Sequence, residues 1–96
     1  MKLSLDDLAL LVAIAEQGSF TQAAKLLRQP KSTVSRRLAD LELQLRVTLF
    51  QRTTRAISLT DAGRRIYELA KPAIDAANDA ASAPADRWPR SSWRTR

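Results

Sequence analysis

The chain has 96 residues, of which 45% are apolar and 5% aromatic, and its formal net charge is +6. It contains no cysteine and no histidine, which excludes disulfides, thiolate metal sites and histidine acid–base chemistry. The longest apolar run is far shorter than the roughly 20 residues of a membrane-spanning helix, and the N-terminus has no cleavable export signal. We therefore expect one small, mostly helical cytoplasmic domain that is not an enzyme and needs no metal or other cofactor.

The positive charge is concentrated in the middle of the chain. Residues 21–65 hold ten cations and three anions, whereas residues 1–20 and 66–81 each carry a balance of −2. Residues 82–96 add four arginines and one aspartate. A cationic block centred on a helix pair is typical of nucleic-acid binding, although a solvated basic face without such a function gives the same pattern.

Capping signals and apolar periodicity predict three helices in the first half of the chain. Ser4 begins the first helix with a capping-box pattern, and Gly18 ends it. Ser19 begins a short second helix with the same pattern. Pro30 suits the first turn of a third helix. The inward face of that third helix is predicted at Val34, Leu38, Leu41 and Leu45.

A hairpin and a fourth helix are predicted next. Two short apolar runs flank a polar, arginine-bearing centre between residues 49 and 59, as in a small β-hairpin. Phe50, Ile57 and Leu59 would hold this hairpin against the core. Thr60 is a suitable N-cap for the fourth helix, in which Pro72 should cause a kink.

An apolar stripe on the fourth helix indicates a dimerisation face. Its members recur at alternating spacings of four and three residues, which is the spacing of a coiled-coil contact. The alternative is that the stripe packs on its own domain. The stripe consists of Ile66, Ala70, Ala73, Ala77 and Ala80.

The outward face of the third helix is the candidate binding surface. With Val34 turned inward, Ser32 and Arg36 point outward. Short side chains let a helix approach a DNA groove closely, hydroxyl groups bond to bases or phosphates, and cations pair with phosphates. A solvated amphipathic helix is the alternative for this segment taken alone. The candidates for DNA contact are Lys31, Ser32, Thr33, Ser35, Arg36 and Arg37 on the helix, with Arg52 and Arg55 in the hairpin.

Four segments, taken in order, resemble the N-terminal domain of the LysR-type transcriptional regulators. No single segment decides the resemblance, but the ordered set is highly specific, and it extends from about Leu5 to the low 80s. The segments are "GSFTQAAKLL" (18–27), "STVSRRLADLE" (32–42), "TLFQRTTR" (48–55) and "LTDAG" (59–63).

The resemblance implies a mostly α fold. Residues 1–60 would form a winged helix-turn-helix with a three-helix core and a β-hairpin wing. Residues 61–81 would form a long linker helix that dimerises. Residues 82–96 are expected to form a disordered basic tail. The implied function is a sequence-specific transcriptional regulator that binds double-stranded DNA, in the cytoplasm at the nucleoid, as a homodimer on an interrupted inverted repeat. By position in the family's motif, Lys31, Ser32, Ser35 and Arg36 would face DNA, Thr21 would touch the DNA backbone, and Arg52 and Arg55 would serve the wing.

Three departures from the family pattern matter. Lys31 lies where many members have glutamine, and lysine can donate to guanine, so we expect a guanine near each half-site centre. Arg46 lies where the family usually has glycine, at a cost of about 1 kcal/mol. The family's effector-binding domain has no counterpart in this chain, so we expect no response to a small-molecule effector. A protein-interaction module that pairs with a full-length relative is the alternative function, but such a surface would not require clustered cations.

Overall fold

The computed structural model describes residues 3–53 and 56–82. Arg55 and the predicted tail beyond Ser82 lie outside the described residues. In chain order the elements are α1 (Leu5–Gln17), α2 (Phe20–Leu27), α3 (Lys31–Leu45), β1 (Phe50–Arg52), β2 (Ile57–Leu59) and α4 (Asp61–Ser82). This arrangement confirms the predicted winged helix-turn-helix followed by a long helix. None of the described helices has both the length and the apolar character needed to cross a membrane.

Side-chain caps define the starts of the first two helices, and a left-handed glycine ends α1. Ser4 Oγ accepts from the Asp7 backbone N–H at 3.1 Å, and the Ser4 N–H donates to the Asp7 carboxylate at 3.2 Å, which completes the predicted capping box. Gly18 ends α1 with a φ of 63°, in the left-handed region that glycine adopts without strain. Ser19 Oγ then accepts from the Gln22 N–H at 3.2 Å and begins α2.

Two arginines end helices in the left-handed conformation that usually favours glycine. Arg28 has a φ of 58° at the end of α2, and Arg46 has a φ of 57° at the end of α3. A side chain with a Cβ atom costs about 1–2 kcal/mol in this region. The unfavourable backbone predicted at Arg46 is therefore confirmed, and Arg28 has the same conformation without having been predicted.

The hydrophobic core lies between α1, α3 and the start of the wing. Leu10, Leu11 and Ile14 of α1 are fully buried. Val34 and Leu38 of α3 pack against them, together with other apolar residues of one cluster. The predicted inward face of α3 is confirmed, because Val34, Leu38 and Leu41 are buried and Leu45 is partly buried.

Glu42 fixes the start of the wing to α3. The β1 and β2 strands pair antiparallel, with Phe50 opposite Leu59. Glu42 Oε2 accepts from the Leu49 N–H at 2.7 Å and from the Phe50 N–H at 3.3 Å. One carboxylate thus satisfies two backbone donors at the point where the chain turns from helix into hairpin.

The segment "LTDAG" fastens the start of α4 to the same turn. Thr60 Oγ1 donates to the Thr48 carbonyl at 2.6 Å and accepts from the Gly63 N–H at 3.0 Å. The Thr60 N–H donates to the Leu49 carbonyl at 3.0 Å. A Cβ atom at Gly63 would overlap the Leu49 carbonyl oxygen, so only glycine permits this approach. The motif therefore has a structural explanation in this chain.

A polar cluster joins α4 to α1. Lys71 Nζ lies 2.8 Å from Glu16 Oε2 and 3.0 Å from Asp75 Oδ1, and the Tyr67 hydroxyl donates to Glu16 Oε2 at 2.9 Å. The bonds from Lys71 and Tyr67 hold the pKa of the Glu16 carboxyl below its ordinary value. The same contact with Glu16 raises the pKa of Tyr67, and Glu16 together with Asp75 raises the pKa of Lys71.

The apolar stripe on α4 divides between two surroundings. Ala70 is 2% exposed and belongs to the core of its own chain, and Ile66 packs against that core. These two residues thus contact their own domain, and the contact of the stripe with a second copy stays a prediction. Ala73 is exposed, whereas Ala77 and Ala80 are half-buried. The helix runs without a break through Pro72, and the kink there stays a prediction.

Candidate nucleic-acid interface

The N-terminus of α3 has open backbone donors. Pro30 occupies the N-cap position and provides no side-chain hydrogen bond, and the first turn contains no acidic residue. The first turn instead begins with the cation Lys31, next to the positive end of the helix dipole. By contrast, α1 has a serine cap and two aspartates at its start. An anion at the start of α3 would satisfy free N–H groups and offset the charge of Lys31.

A groove opens between this helix start and the hairpin. We call it the wing groove. It is lined by the beginning of α2, by Lys31 at the beginning of α3 and by the end of β1. Arg52 enters it from β1, and its guanidinium carbon lies 4.7 Å from the centroid of the Phe20 ring. The polar and charged residues that line the wing groove are Ser19, Thr21, Lys31, Arg52 and Thr53.

The outer surface of α3 presents short polar side chains beside a cation. Ser32 and Arg36 are exposed, and Ser35 is half-buried on the flank. Val34, directly between them in sequence, is fully buried. The structure therefore gives the first half of α3 the orientation that the sequence predicts for a helix facing DNA.

Two of the candidate residues face a different side of α3. Arg37 Nη1 donates to Gln29 Oε1 at 3.1 Å, and its Nη2 donates to the Asp6 carbonyl at 3.4 Å. Thr33 lines the same depression, between α3 and the start of α1, as Arg37. Arg37 thus links α3 to the turn after α2 and to the first turn of α1, and the contact of Thr33 and Arg37 with DNA stays a prediction.

Within the described part of the chain, the cations of the interface have no carboxylate partner. In the part of the chain that the structure describes, the ion pairs are those of Lys71, which lies at the contact between α1 and α4. Lys31, Arg36 and Arg52 pair with no carboxylate in residues 3–53 and 56–82. Their field is thus directed at solvent, which favours an anionic ligand.

Sequence reasoning missed three residues of the wing groove. Ser19 was interpreted only as a helix cap, and Phe20 and Thr53 were not singled out at all. The contact between Phe20 and Arg52 joins residues 32 positions apart, so no local periodicity could indicate it. The presence of both residues in the segments that resemble the LysR pattern was the available signal.

A family profile decides the classification. The profile described as "Bacterial regulatory helix-turn-helix protein, lysR family" matches residues 5–64. The chain belongs to the LysR family. The match includes α1, α2, α3 and both strands of the wing and ends in the first turn of α4. The interface described above is therefore part of a LysR-family helix-turn-helix domain.

Known proteins resemble this LysR-family domain in sequence and in structure. The HTH-type transcriptional regulator YcaN of Escherichia coli K12, itself uncharacterized, is 40% identical over 75 residues, which are 78% of this chain and 25% of YcaN. An OxyR mutant from Corynebacterium glutamicum has a TM-score of 0.77 and 35% identity, over 85% of this chain and 26% of OxyR. The BenM DBD in complex with catB site 1 DNA has a TM-score of 0.75 and 30% identity, over 83% of this chain and 89% of that one.

The matches cover a small share of the full-length regulators but nearly all of the solved BenM domain. The LysR-family chain described here spans about a quarter of the length of the curated relatives that it matches first. It spans most of the BenM DBD, which is a domain bound to DNA. The similarity therefore concerns the DNA-binding domain of this family.

Proposed function

We propose that this domain regulates transcription by binding specific sites on double-stranded DNA as a homodimer. The observation that carries the proposal is the exposed surface of the first half of α3, where Ser32 and Arg36 face solvent beside Lys31. Serine is short enough for the helix to approach a major groove closely, and the charges of Arg36 and Lys31 attract phosphates. The similar BenM DBD forms a complex with DNA.

In this proposal α3 supplies base contacts and the wing groove supplies backbone contacts. Ser32, Ser35 and Arg36 reach base edges or the flanking phosphates. The sugar–phosphate backbone beside the DNA major groove is contacted by Thr21, Arg52 and Arg55. Lys31 donates to a guanine near the half-site centre. Phosphate contacts contribute much of the affinity, so binding weakens steeply with salt, by about 0.9 log units per tenfold rise for each phosphate neutralised.

The dimer proposal uses a face of α4 that differs from the stripe predicted by sequence. Leu69 is 79% exposed, and Ala73, Ala76 and Ala80 continue its face at helical spacing toward the C-terminal end. Ala73 and Ala76 are exposed, and Ala80 is half-buried. A second copy packed along this face, with Ala77 at its margin, would cover Leu69 and place two α3 helices on one face of DNA, as an inverted repeat requires.

A role as a module that binds only proteins is not favoured. The cations of α3 and the wing groove lack carboxylate partners among the described residues, and a protein-binding surface has no need of such a cluster. The relatives that match are named as transcriptional regulators, and we propose binding without catalysis. A cytoplasmic location at the nucleoid follows from this function.

Selection of binding sites from random duplex DNA tests the proposal. We expect the wild-type chain to enrich a symmetric, interrupted motif, and Arg36→Ala to weaken binding or to relax one position of that motif. The matched control is Arg46→Gly, which removes one positive charge at the opposite end of α3 and places glycine where φ is positive. This control should enrich the same motif as the wild type. Absence of any enriched motif would refute specific recognition.

A further inference from the structure

Arg52 is an exposed cation that lies over an aromatic ring. Its guanidinium carbon lies over the Phe20 ring at 4.7 Å from the centroid. Phe20 is half-buried and packs against the hydrophobic core, so the ring is a fixed platform. Arg52 itself is exposed at the end of β1. A long side chain that would otherwise sample many rotamers therefore has one defined contact.

Among the described residues, Arg52 has no hydrogen-bond acceptor. In residues 3–53 and 56–82, no carboxylate pairs with Arg52, and its guanidinium donates to no side chain or carbonyl. A guanidinium that lies over a ring directs its N–H groups outward in its own plane, where they can meet two oxygens of one phosphate. Lys31 and the backbone donors at the α3 N-terminus line the same groove.

We propose that Phe20 is a positioning residue for DNA binding: its ring holds the Arg52 guanidinium in the wing groove, with its donor edge toward a phosphate of the DNA backbone. The inference rests on the proposed DNA-binding function. The ring contributes through its π face, because an aliphatic side chain of similar size fills the space but does not attract a cation. An arginine that is already ordered loses less rotamer freedom when it binds.

A double-mutant cycle separates this role from simple packing. The variants are Phe20→Leu, Arg52→Gln and their combination, with Phe20→Tyr as the matched control that keeps the ring. Affinity for a duplex carrying the selected motif is measured by fluorescence anisotropy at several salt concentrations, and thermal melting reports stability. We expect Phe20→Leu to weaken binding about three- to tenfold, which corresponds to the loss of one cation–π contact and its ordering effect. Phe20→Tyr should bind within about twofold of the wild type.

The affinity of the double variant and the salt dependence of DNA binding distinguish a positioning role of Phe20 from simple packing. In the Arg52→Gln background, Phe20→Leu should change affinity less than about twofold, because the cation that the ring holds is gone. Arg52→Gln should also reduce the salt slope by about 0.9, one phosphate contact, whereas Phe20→Leu alone should leave the slope unchanged. A loss of affinity from Phe20→Leu that is equally large with and without Arg52 would overturn the inference.

A measurement on the wild-type chain keeps the inference testable if Phe20→Leu fails to fold. The heteronuclear NOE of the arginine Nε–H groups compares Arg52 with Arg36, which is also exposed and has no partner among the described residues. We expect Arg52 to be clearly more ordered than Arg36 in the absence of DNA. Equal mobility would overturn the inference. If the wild type binds DNA but Arg52→Gln binds equally well, the inference fails alone; if the wild type binds no duplex, the proposed function fails.

Discussion

Replacement of Glu42 by alanine should strongly destabilise the fold, because this carboxylate serves two backbone donors at once. Glu42 Oε2 accepts from the N–H groups of Leu49 and Phe50 at 2.7 and 3.3 Å. Leu49 is fully buried and Phe50 is 4% exposed, so water can replace the lost acceptor only poorly. An unsatisfied buried donor costs about 1–3 kcal/mol. We therefore expect Glu42→Ala to lower the free energy of unfolding by about 2–4 kcal/mol.

Thermal melting followed by circular dichroism measures this effect. For a domain of this size, 1 kcal/mol corresponds to about 4–8 °C in Tm, so Glu42→Ala should lower Tm by about 8–32 °C. Glu42→Gln keeps an acceptor of the same shape without its charge and should lose about 1 kcal/mol. Glu68→Ala is the matched control, since Glu68 is an exposed carboxylate on α4, and it should stay within about 0.5 kcal/mol of the wild type. A Tm for Glu42→Ala within about 2 °C of the wild type would mean that the Glu42 carboxylate does not stabilise the start of the wing.

Four further outcomes are expected. Gly63→Ala should lower the free energy of unfolding by about 2 kcal/mol or more in urea titration, because its Cβ overlaps the Leu49 carbonyl; an unchanged urea midpoint would contradict this close approach. The folded-state pKa of Glu16 is below its ordinary value of 4.5, so the stability that Glu16 contributes is present above pH 4.5 and is lost as pH falls through the folded pKa. Glu16→Gln should therefore flatten the fall of Tm with decreasing pH. Parallel Tm curves for the variant and the wild type would contradict this contribution of Glu16. Lys31→Gln should shift the base preferred at one position of each half-site from guanine toward adenine, and an unchanged selected motif would rule out this contact. Leu69→Glu should shift sedimentation toward the monomer while leaving the helical circular-dichroism spectrum unchanged, because Leu69 is 79% exposed in the single chain; an undiminished dimer would exclude this face of α4.

Signals that depend on neighbouring residues allowed the architecture to be predicted. The capping box of Ser4 and the left-handed Gly18 involve residues within one helical turn, and both are present in the structure. The buried face of α3 follows from helical spacing alone. The hairpin could be predicted because its apolar runs and polar centre are adjacent in sequence, with the strands at Phe50–Arg52 and Ile57–Leu59.

Features that depend on distant partners could not be predicted in the same way. Glu42 is one carboxylate on a polar helix surface until the turn after α3 brings two backbone donors to it. Arg36 and Arg37 are adjacent residues of the same type, yet only Arg37 bonds to α1 and to the turn after α2. Periodicity indicated an apolar stripe on α4 but not its partner, and the structure places Ala70 in the core of its own domain.

The central claim is that the exposed cationic surface of α3 and the wing groove recognises a DNA sequence. The most direct test is a titration of the selected duplex and of a scrambled duplex of equal length, by fluorescence anisotropy at two salt concentrations. We expect the selected site to bind at least about a hundredfold more tightly, and both affinities to fall with salt. Equal affinities for the two duplexes, both lost at the higher salt, would mean that the domain touches only the DNA backbone and would contradict the claim.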